Sequence, residues 1–169
     1  MKILIAYATK HQSTAEIATK IAEEIRTIGI DIDLMPVGTV INPAKYDVFI
    51  IGSAVYMGQW MNSAADFLIT YEKLLTERPT WLFSSGPTGD GKPSALLKGF
   101  RFPAVLQDLA KRIEPEDIML FHGKLDTEEL GWSERIIVRT VRATIGDYRD
   151  WDSITEWAKS IQERLKSQQ

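Results

Sequence analysis

Thr9, Lys10, His11, Gln12, Ser13 and Thr14 form one stretch with three hydroxyls, an amide and no bulky apolar side chain. Hydroxyls and amides donate hydrogen bonds. A stretch that feeds the start of a helix adds backbone N–H groups and the positive end of the helix dipole, so it can take a phosphate. A plainer reading also fits. Ser13-Thr14-Ala15-Glu16 has the spacing of a capping box, in which Ser13 would simply cap the helix while Thr9 to Ser13 turn the chain. There is no GxxxxGK[ST], which argues against a nucleoside triphosphate with magnesium, and no GxGxxG, which argues against a dinucleotide. A phosphomonoester remains.

Two further stretches bear on what the phosphate is attached to. Ser53, Ala54, Val55, Tyr56, Met57 and Gly58, followed by Gln59 and Trp60, put aromatic and thioether surface beside a glycine. Ser84, Ser85, Gly86, Pro87, Thr88, Gly89, Asp90 and Gly91 exclude regular structure by composition and let backbone approach a ligand closely. A flat ring would fit between them. Tyr56 and Trp60 are then the stacking candidates from these stretches, with Trp132 a candidate from outside. In the plainer reading Tyr56 and Trp60 are ordinary core or surface aromatics.

The elements that position these stretches are legible from hydrophobic period. Ile3-Leu4-Ile5-Ala6-Tyr7 and Val48-Phe49-Ile50-Ile51 are continuous apolar runs, the pattern of strands covered on both faces. Ile30 to Leu34 alternates, which suits a sheet edge. Thr80 to Phe83 and Ile118 to Phe121 complete five strands. Helices are expected after Ser13 up to Gly29, over Asn62 to Leu75, over Pro103 to Ile113, over Ser133 to Ile145, and from Trp151 onward. This alternation predicts an α/β fold: a three-layer, doubly wound, parallel five-stranded sheet with strand order 2-1-3-4-5. Ligands bind such sheets at the carboxyl ends of the strands, here between the loops after strands one and three.

Composition narrows the function classes. With 169 residues and 44% apolar content, one domain over 1–169 is expected, carrying an inserted helical segment at about 124–149. The net charge of −3 provides no basic footprint for nucleic acid. There is no cysteine, which removes disulfides, thiolate metal ligands and cysteine nucleophiles together. His11 could attract a phosphate, His122 suits a hydrogen-bonded structural role, and two isolated histidines make no metal site. The first apolar run is too short for a signal peptide or membrane span, so a cytoplasmic protein with at most peripheral membrane contact is expected. Phosphorelay receivers share the strand order, but they need an acidic pair after strand one and an aspartate ending strand three, where this chain has Ala8-Thr9 and Gly52-Ser53.

The stretches YATKHQSTAEIA, YDVFIIGSAVYMG, GKLD and GDYRDWDSITEWA resemble the flavodoxin-domain proteins related to flavodoxin-type menaquinone-dependent protoporphyrinogen oxidase. The resemblance runs nearly from end to end. It implies a flavodoxin-like fold that binds FMN non-covalently, with Thr9 to Thr14 at the phosphate, Ser53 to Gly58 on one side of the isoalloxazine and Ser84 to Gly91 on the other. Two departures stand out. Gln12 occupies a place where such loops usually carry glycine, and it can offer its side-chain amide if its backbone avoids the left-handed region. Lys124 to Trp132 is also more acidic than the basic, aromatic-rich segment of that oxidase.

The functional expectation is an FMN-dependent redox protein with a protein or small-molecule electron donor and acceptor. The alternatives are a protoporphyrinogen or quinone oxidoreductase using the same FMN, and a flavin-free module that binds a partner. Arg135, Arg139 and Arg142 share one face of the helix expected from Ser133. That face is either solvated or a transient dock, for an acidic redox partner ahead of an anionic lipid surface.

Overall fold

The computed structural model describes residues 1–26, 30–97, 99–126, 128, 131–132, 138 and 144–167. The first apolar run forms β1 (Lys2–Ala8), and a short loop leads to α1 (Ser13–Arg26). β2 (Asp31–Pro36) and β3 (Val48–Tyr56) follow, and β4 (Gln59–Trp60) turns back on β3. After α2 (Asn62–Thr70) and α3 (Glu72–Thr76) come β5 (Thr80–Ser85), α4 (Pro93–Leu96), α5 (Gln107–Ile113) and β6 (Asp117–Phe121). A two-stranded ribbon, β7 (Lys124–Leu125) with β8 (Gly146–Asp147), precedes α6 (Trp151–Ser167).

The sheet runs β2-β1-β3-β5-β6, with β4 antiparallel beside β3. Counting the parallel strands alone, the order is 2-1-3-4-5, as expected. The strands sort by burial. β1, β3 and β5 are apolar on both faces and lie inside, while β2, with Asp31 and Asp33 exposed or half-buried, forms an edge. α1 and α6 cover one face over Ile3, Ile5, Ile50, Phe83 and Phe121. Phe49, Ile51, Leu82, Phe67 and Leu109 fill the other, under α2 and α5. The result is three layers. In-register pairing sets Ala8, Ser53, Ser84 and Leu120 side by side in one row, so the loops after β1, β3 and β5 leave the sheet at the same end.

Two local expectations are corrected, and one element is new. The helix expected over Asn62 to Leu75 breaks at Tyr71 (φ −110°, ψ 22°), where no glycine or proline announces a break. The helix expected from Pro103 starts as a 3-10 turn over Ala104–Leu106 before α5. The ribbon β7–β8 carries no sequence signal, because two-residue strands have no measurable period. The helix expected over Ser133 to Ile145, with Arg135, Arg139 and Arg142, falls mainly outside the described residues; Thr144 and Ile145 are irregular.

At the far end of the sheet, Asp33 accepts the Tyr46 hydroxyl at 2.7 Å and pairs with Lys45 at 3.2 Å and Lys2 at 3.3 Å. The Tyr46 hydrogen bond, followed by the lysines, pulls the Asp33 carboxyl down to about 2 from 3.8. Because the folded-state value is the lower one, the stabilisation is full above about pH 4 and is lost as pH falls toward 2. With the carboxylate 26% exposed, screening limits this to about 1–2 kcal/mol. Tyr46→Phe should therefore raise the Asp33 pKa, read by NMR titration, and shrink the stability difference between pH 5 and pH 2.5 by about 1 kcal/mol. An unchanged difference would remove Tyr46 from this role.

Candidate functional site

The loop after β1 closes by a tight turn. The Ser13 N–H donates to the His11 carbonyl at 2.7 Å, spanning Gln12 at φ +58°. This is a γ-turn of positive φ, a strained conformation for any residue with a Cβ. The condition set for Gln12 is thus not met: its backbone does take positive φ. The reason is geometric, since the chain must reverse from the end of β1 into α1 within a few residues. Gln12→Gly should stabilise the protein by about 0.5–1 kcal/mol, the relieved strain exceeding the added unfolded-state entropy. Urea titration measures it. A destabilised variant would mean that the Gln12 side chain contributes more than its backbone costs.

The capping box does not form. The Glu16 N–H donates to the Gln12 carbonyl at 2.9 Å, and the Ser13 N–H is taken by His11. Both box side chains reach outward instead. Ser13 Oγ accepts the Lys124 N–H at 3.1 Å, at the root of the ribbon, and Glu16 Oε2 accepts from Arg149 Nη1 at 2.5 Å. The Ser13 hydroxyl hydrogen remains available for donation. Thr14 is wholly buried, and its Oγ1 is the buried side-chain polar atom without a hydrogen-bond partner among the described residues. An orphaned buried hydroxyl costs roughly 1–3 kcal/mol, so its survival at the first turn of α1 calls for an acceptor.

The stretch from Ser53 is not a loop. Ser53, Ala54, Val55 and Tyr56 continue β3, and Met57 (φ +50°) and Gly58 (φ +74°) make the two-residue turn of a hairpin into β4. Ser53 is fully buried, its hydroxyl donating to the Ala54 carbonyl and accepting the Met61 N–H. Trp60 is buried too, with Nε1 donating to Ser84 Oγ at 2.8 Å and the ring edge-on to Phe102. It belongs to the core, not to a stacking surface. Tyr56 and Met57 are exposed at the hairpin tip, and Trp132 is 79% exposed.

Ser84 and Ser85 likewise end β5 and are buried, so the irregular loop begins at Gly86. The Gly86 N–H donates to the Phe121 carbonyl, and the Gly123 N–H to the Pro87 carbonyl. A Cβ on Gly123 would sit 2.9 Å from the Gly86 carbonyl oxygen, so backbone meets backbone here. His122 lies with Nδ1 3.1 Å from the Pro87 carbonyl and Nε2 2.8 Å from that of Gly91, holding both ends of the loop. Thr88 and Gly89 lie between those ends, and Asp90 is exposed. A cavity of about 570 Å³ opens instead beyond β6, between Met119, Trp157 and Asp150, and meets this loop at its far end, at Gly91 and Lys92, beside His122. Among the described residues, no group of three His, Asp or Glu could hold a metal ion.

A family model described as Flavodoxin domain matches residues 4–152. The chain belongs to the flavodoxin-domain family. Protoporphyrinogen IX dehydrogenase [quinone] of Escherichia coli is 23% identical over 172 residues, covering 95% of this chain and 94% of that protein. Among solved structures, an archaeal flavodoxin superposes with a TM-score of 0.64 at 12% identity, covering 98% of this chain and 99% of that one. The Streptococcus pneumoniae flavodoxin gives 0.59 at 15% identity with full coverage of both. Rubredoxin oxygen:oxidoreductase of Desulfovibrio gigas gives 0.64 at 15% identity over 98% of this chain and 36% of that one. These likenesses carry the fold, which is flavodoxin-like.

In this flavodoxin-domain protein the segment after β6 is tied to α1, the helix that the first loop enters. Arg149, its side chain 4% exposed, forks onto Asp147 at 2.8 and 2.6 Å and spans to Glu16. Hydrogen bonding to Arg149 holds the Asp147 carboxyl below its ordinary value, and Asp147 first, then Glu16, pushes the guanidinium up. Nothing in the local sequence singles Arg149 out. Its partners are 2 and 133 positions away, and only the nearer one lies within reach of any local rule. No helix among the described residues is long and apolar enough to cross a membrane.

Proposed function

We propose that this flavodoxin-domain protein binds FMN non-covalently and serves as a redox protein. The observation that carries the reading is the orphaned Thr14 Oγ1 at the first turn of α1, beside a Ser13 hydroxyl whose oxygen is already engaged and whose hydrogen is free to donate. Thr9, Ser13 and Thr14 would hold the phosphate, with Lys10, His11 and Gln12 framing it and the positive end of α1 behind. Tyr56, Met57 and Gly58 would border the ring on one side, and Gly86, Pro87, Thr88, Gly89, Asp90 and Gly91 on the other. Ser53, Ala54 and Val55, with Ser84 and Ser85, would set the strand ends that carry these borders. Bound FMN supplies reversible electron transfer, which no side chain of this cysteine-free chain offers. The protein's part is to bind, orient and shield.

Purified protein should be yellow, and the flavin released from it should be FMN. FAD on release would overturn the assignment. Tyr56→Ala should shift the bound flavin's reduction potential by changing its contacts and local dielectric, whereas a conservative change at buried Trp60 should not.

A second reading is favoured by the 23% identity, over 95% of this chain, to the Escherichia coli protoporphyrinogen IX dehydrogenase. Quinone-dependent oxidation of protoporphyrinogen by the loaded protein, followed by porphyrin fluorescence under anaerobic conditions, distinguishes an oxidoreductase from a carrier. A colourless protein that takes up no added FMN would instead favour a flavin-free partner-binding module.

A further inference from the structure

We propose that Arg149 is the positioning residue that makes the start of α1 fit to receive a phosphate, by pairing with the Glu16 carboxylate beside it and partly offsetting its charge; the inference rests on the phosphate reading of Thr9 to Thr14. Glu16 stands in the first turn of α1, three residues after Ser13, and its N–H already closes onto Gln12. An acid there competes with a bound phosphate for the same helix end. In a capping box the Glu16 carboxylate would be spent on the Ser13 N–H, but that N–H is committed to His11. The carboxylate goes to Arg149 instead, at 2.5 Å.

The guanidinium does not need Glu16 for its own satisfaction. Asp147 takes its Nε and Nη2 as a bidentate pair, Asp147 Oδ1 also accepts the Arg149 N–H at 3.1 Å, and the Trp151 ring lies 4.6 Å from the guanidinium carbon. The remaining nitrogen, Nη1, spans 133 residues of sequence to reach α1. That reach brings a cation, 4% exposed, to the helix end where Thr14 Oγ1 is wholly buried and without a partner among the described residues. The same helix end is held a second time from the same segment, through the Lys124 N–H on Ser13 Oγ. Arg149 therefore sets the charge at the site while Lys124 sets the direction in which Ser13 can donate.

The test compares FMN and riboflavin affinities of the full-length protein, so that only phosphate-dependent effects count. Arg149→Met should weaken FMN by about 10-fold or more and riboflavin by less than about 3-fold, the FMN loss shrinking at high salt. Adding Glu16→Gln to Arg149→Met should restore FMN affinity to within about 3-fold of wild type. Glu16→Gln alone, which leaves Arg149 in place, should tighten FMN by about two- to five-fold. If Arg149 is only a mechanical clamp, Glu16→Gln alone weakens FMN and the double variant is no better than Arg149→Met; either result overturns the proposal, even if Arg149→Met does not fold. A wild-type protein holding FMN no tighter than riboflavin removes the phosphate reading, and this inference with it. Wild-type preference for FMN without the Glu16 rescue removes this inference alone.

Discussion

Thr14→Val should stabilise the FMN-free protein by about 1 kcal/mol while weakening FMN binding by about 10- to 150-fold, equivalent to the roughly 1.5–3 kcal/mol of a hydrogen bond to a charged group. The opposite signs follow from one atom. In the free protein Thr14 Oγ1 is buried with no partner among the described residues, so replacing it with an isosteric methyl removes an unsatisfied polar group. With a phosphate at the loop the same atom gains an acceptor, and the methyl forfeits it. Riboflavin, lacking the phosphate, should bind both forms within about 2-fold of each other, because the lost interaction was made only to the charged group. Urea unfolding of the FMN-free forms and flavin-fluorescence titration measure the two effects separately. A loss of stability together with an equal loss for both flavins would show that Thr14 is a packing residue and that the phosphate lies elsewhere.

Gly52→Ala should cost more than about 3 kcal/mol and bring the protein close to unfolding, because over-packing of an unyielding core exceeds the usual range. Gly52 pairs with Phe83 on the adjacent strand, and a Cβ on it would overlap Cζ, Cε1 and Cε2 of that ring. The ring cannot retreat. Phe83 is wholly buried, with Phe121 and Trp157 each 6.0 Å away, centroid to centroid. The close fit matters for the site because Gly52 precedes Ser53, whose hydroxyl holds the start of α2 through the Met61 N–H. Phe83→Leu in the Gly52→Ala background should recover about half of the lost stability by making room for the methyl, with the rest lost to the smaller side chain. A Gly52→Ala protein within about 1 kcal/mol of wild type would show that the ring moves aside at little cost, contrary to its tight packing.

The sheet order was readable because it depends on an average property of each strand. A strand that is apolar at every position must be covered on both faces, and a strand reading Asp31-Ile32-Asp33 cannot be, so edge and centre separate without any knowledge of contacts. The places where the loops begin and end were not readable to the same degree. Ser53 to Tyr56 and Ser84 to Ser85 look like loop residues by type, but pairing between neighbouring strands carries them on as β structure. The hydroxyls of Ser53 and Ser84 are engaged from other parts of the chain, by the Met61 N–H and the Trp60 Nε1–H. Trp60 itself shows the limit of composition, since a tryptophan two residues past a glycine reads equally as a stacking surface or as core until the hairpin folds it inward.

By itself the sequence determined the layers, the strand order, the end of the sheet where the loops after β1, β3 and β5 gather and the hydroxyl-rich loop that enters α1, because each follows from residue period and type within a few positions. It also excluded thiol chemistry outright, since there is no cysteine. The tertiary structure alone decided what that loop's side chains do. Ser13 and Glu16 carry the local signature of a capping box, yet their partners are Lys124 and Arg149, 111 and 133 positions away. The positive φ of Gln12 made that exchange possible, because it spends the Ser13 N–H on His11 and the Gln12 carbonyl on Glu16, leaving both side chains free to reach across. Local rules describe what a residue can bond within one turn of helix. Which bond it makes depends on what the fold brings within 3 Å, and that competition is settled only when the whole chain is in place.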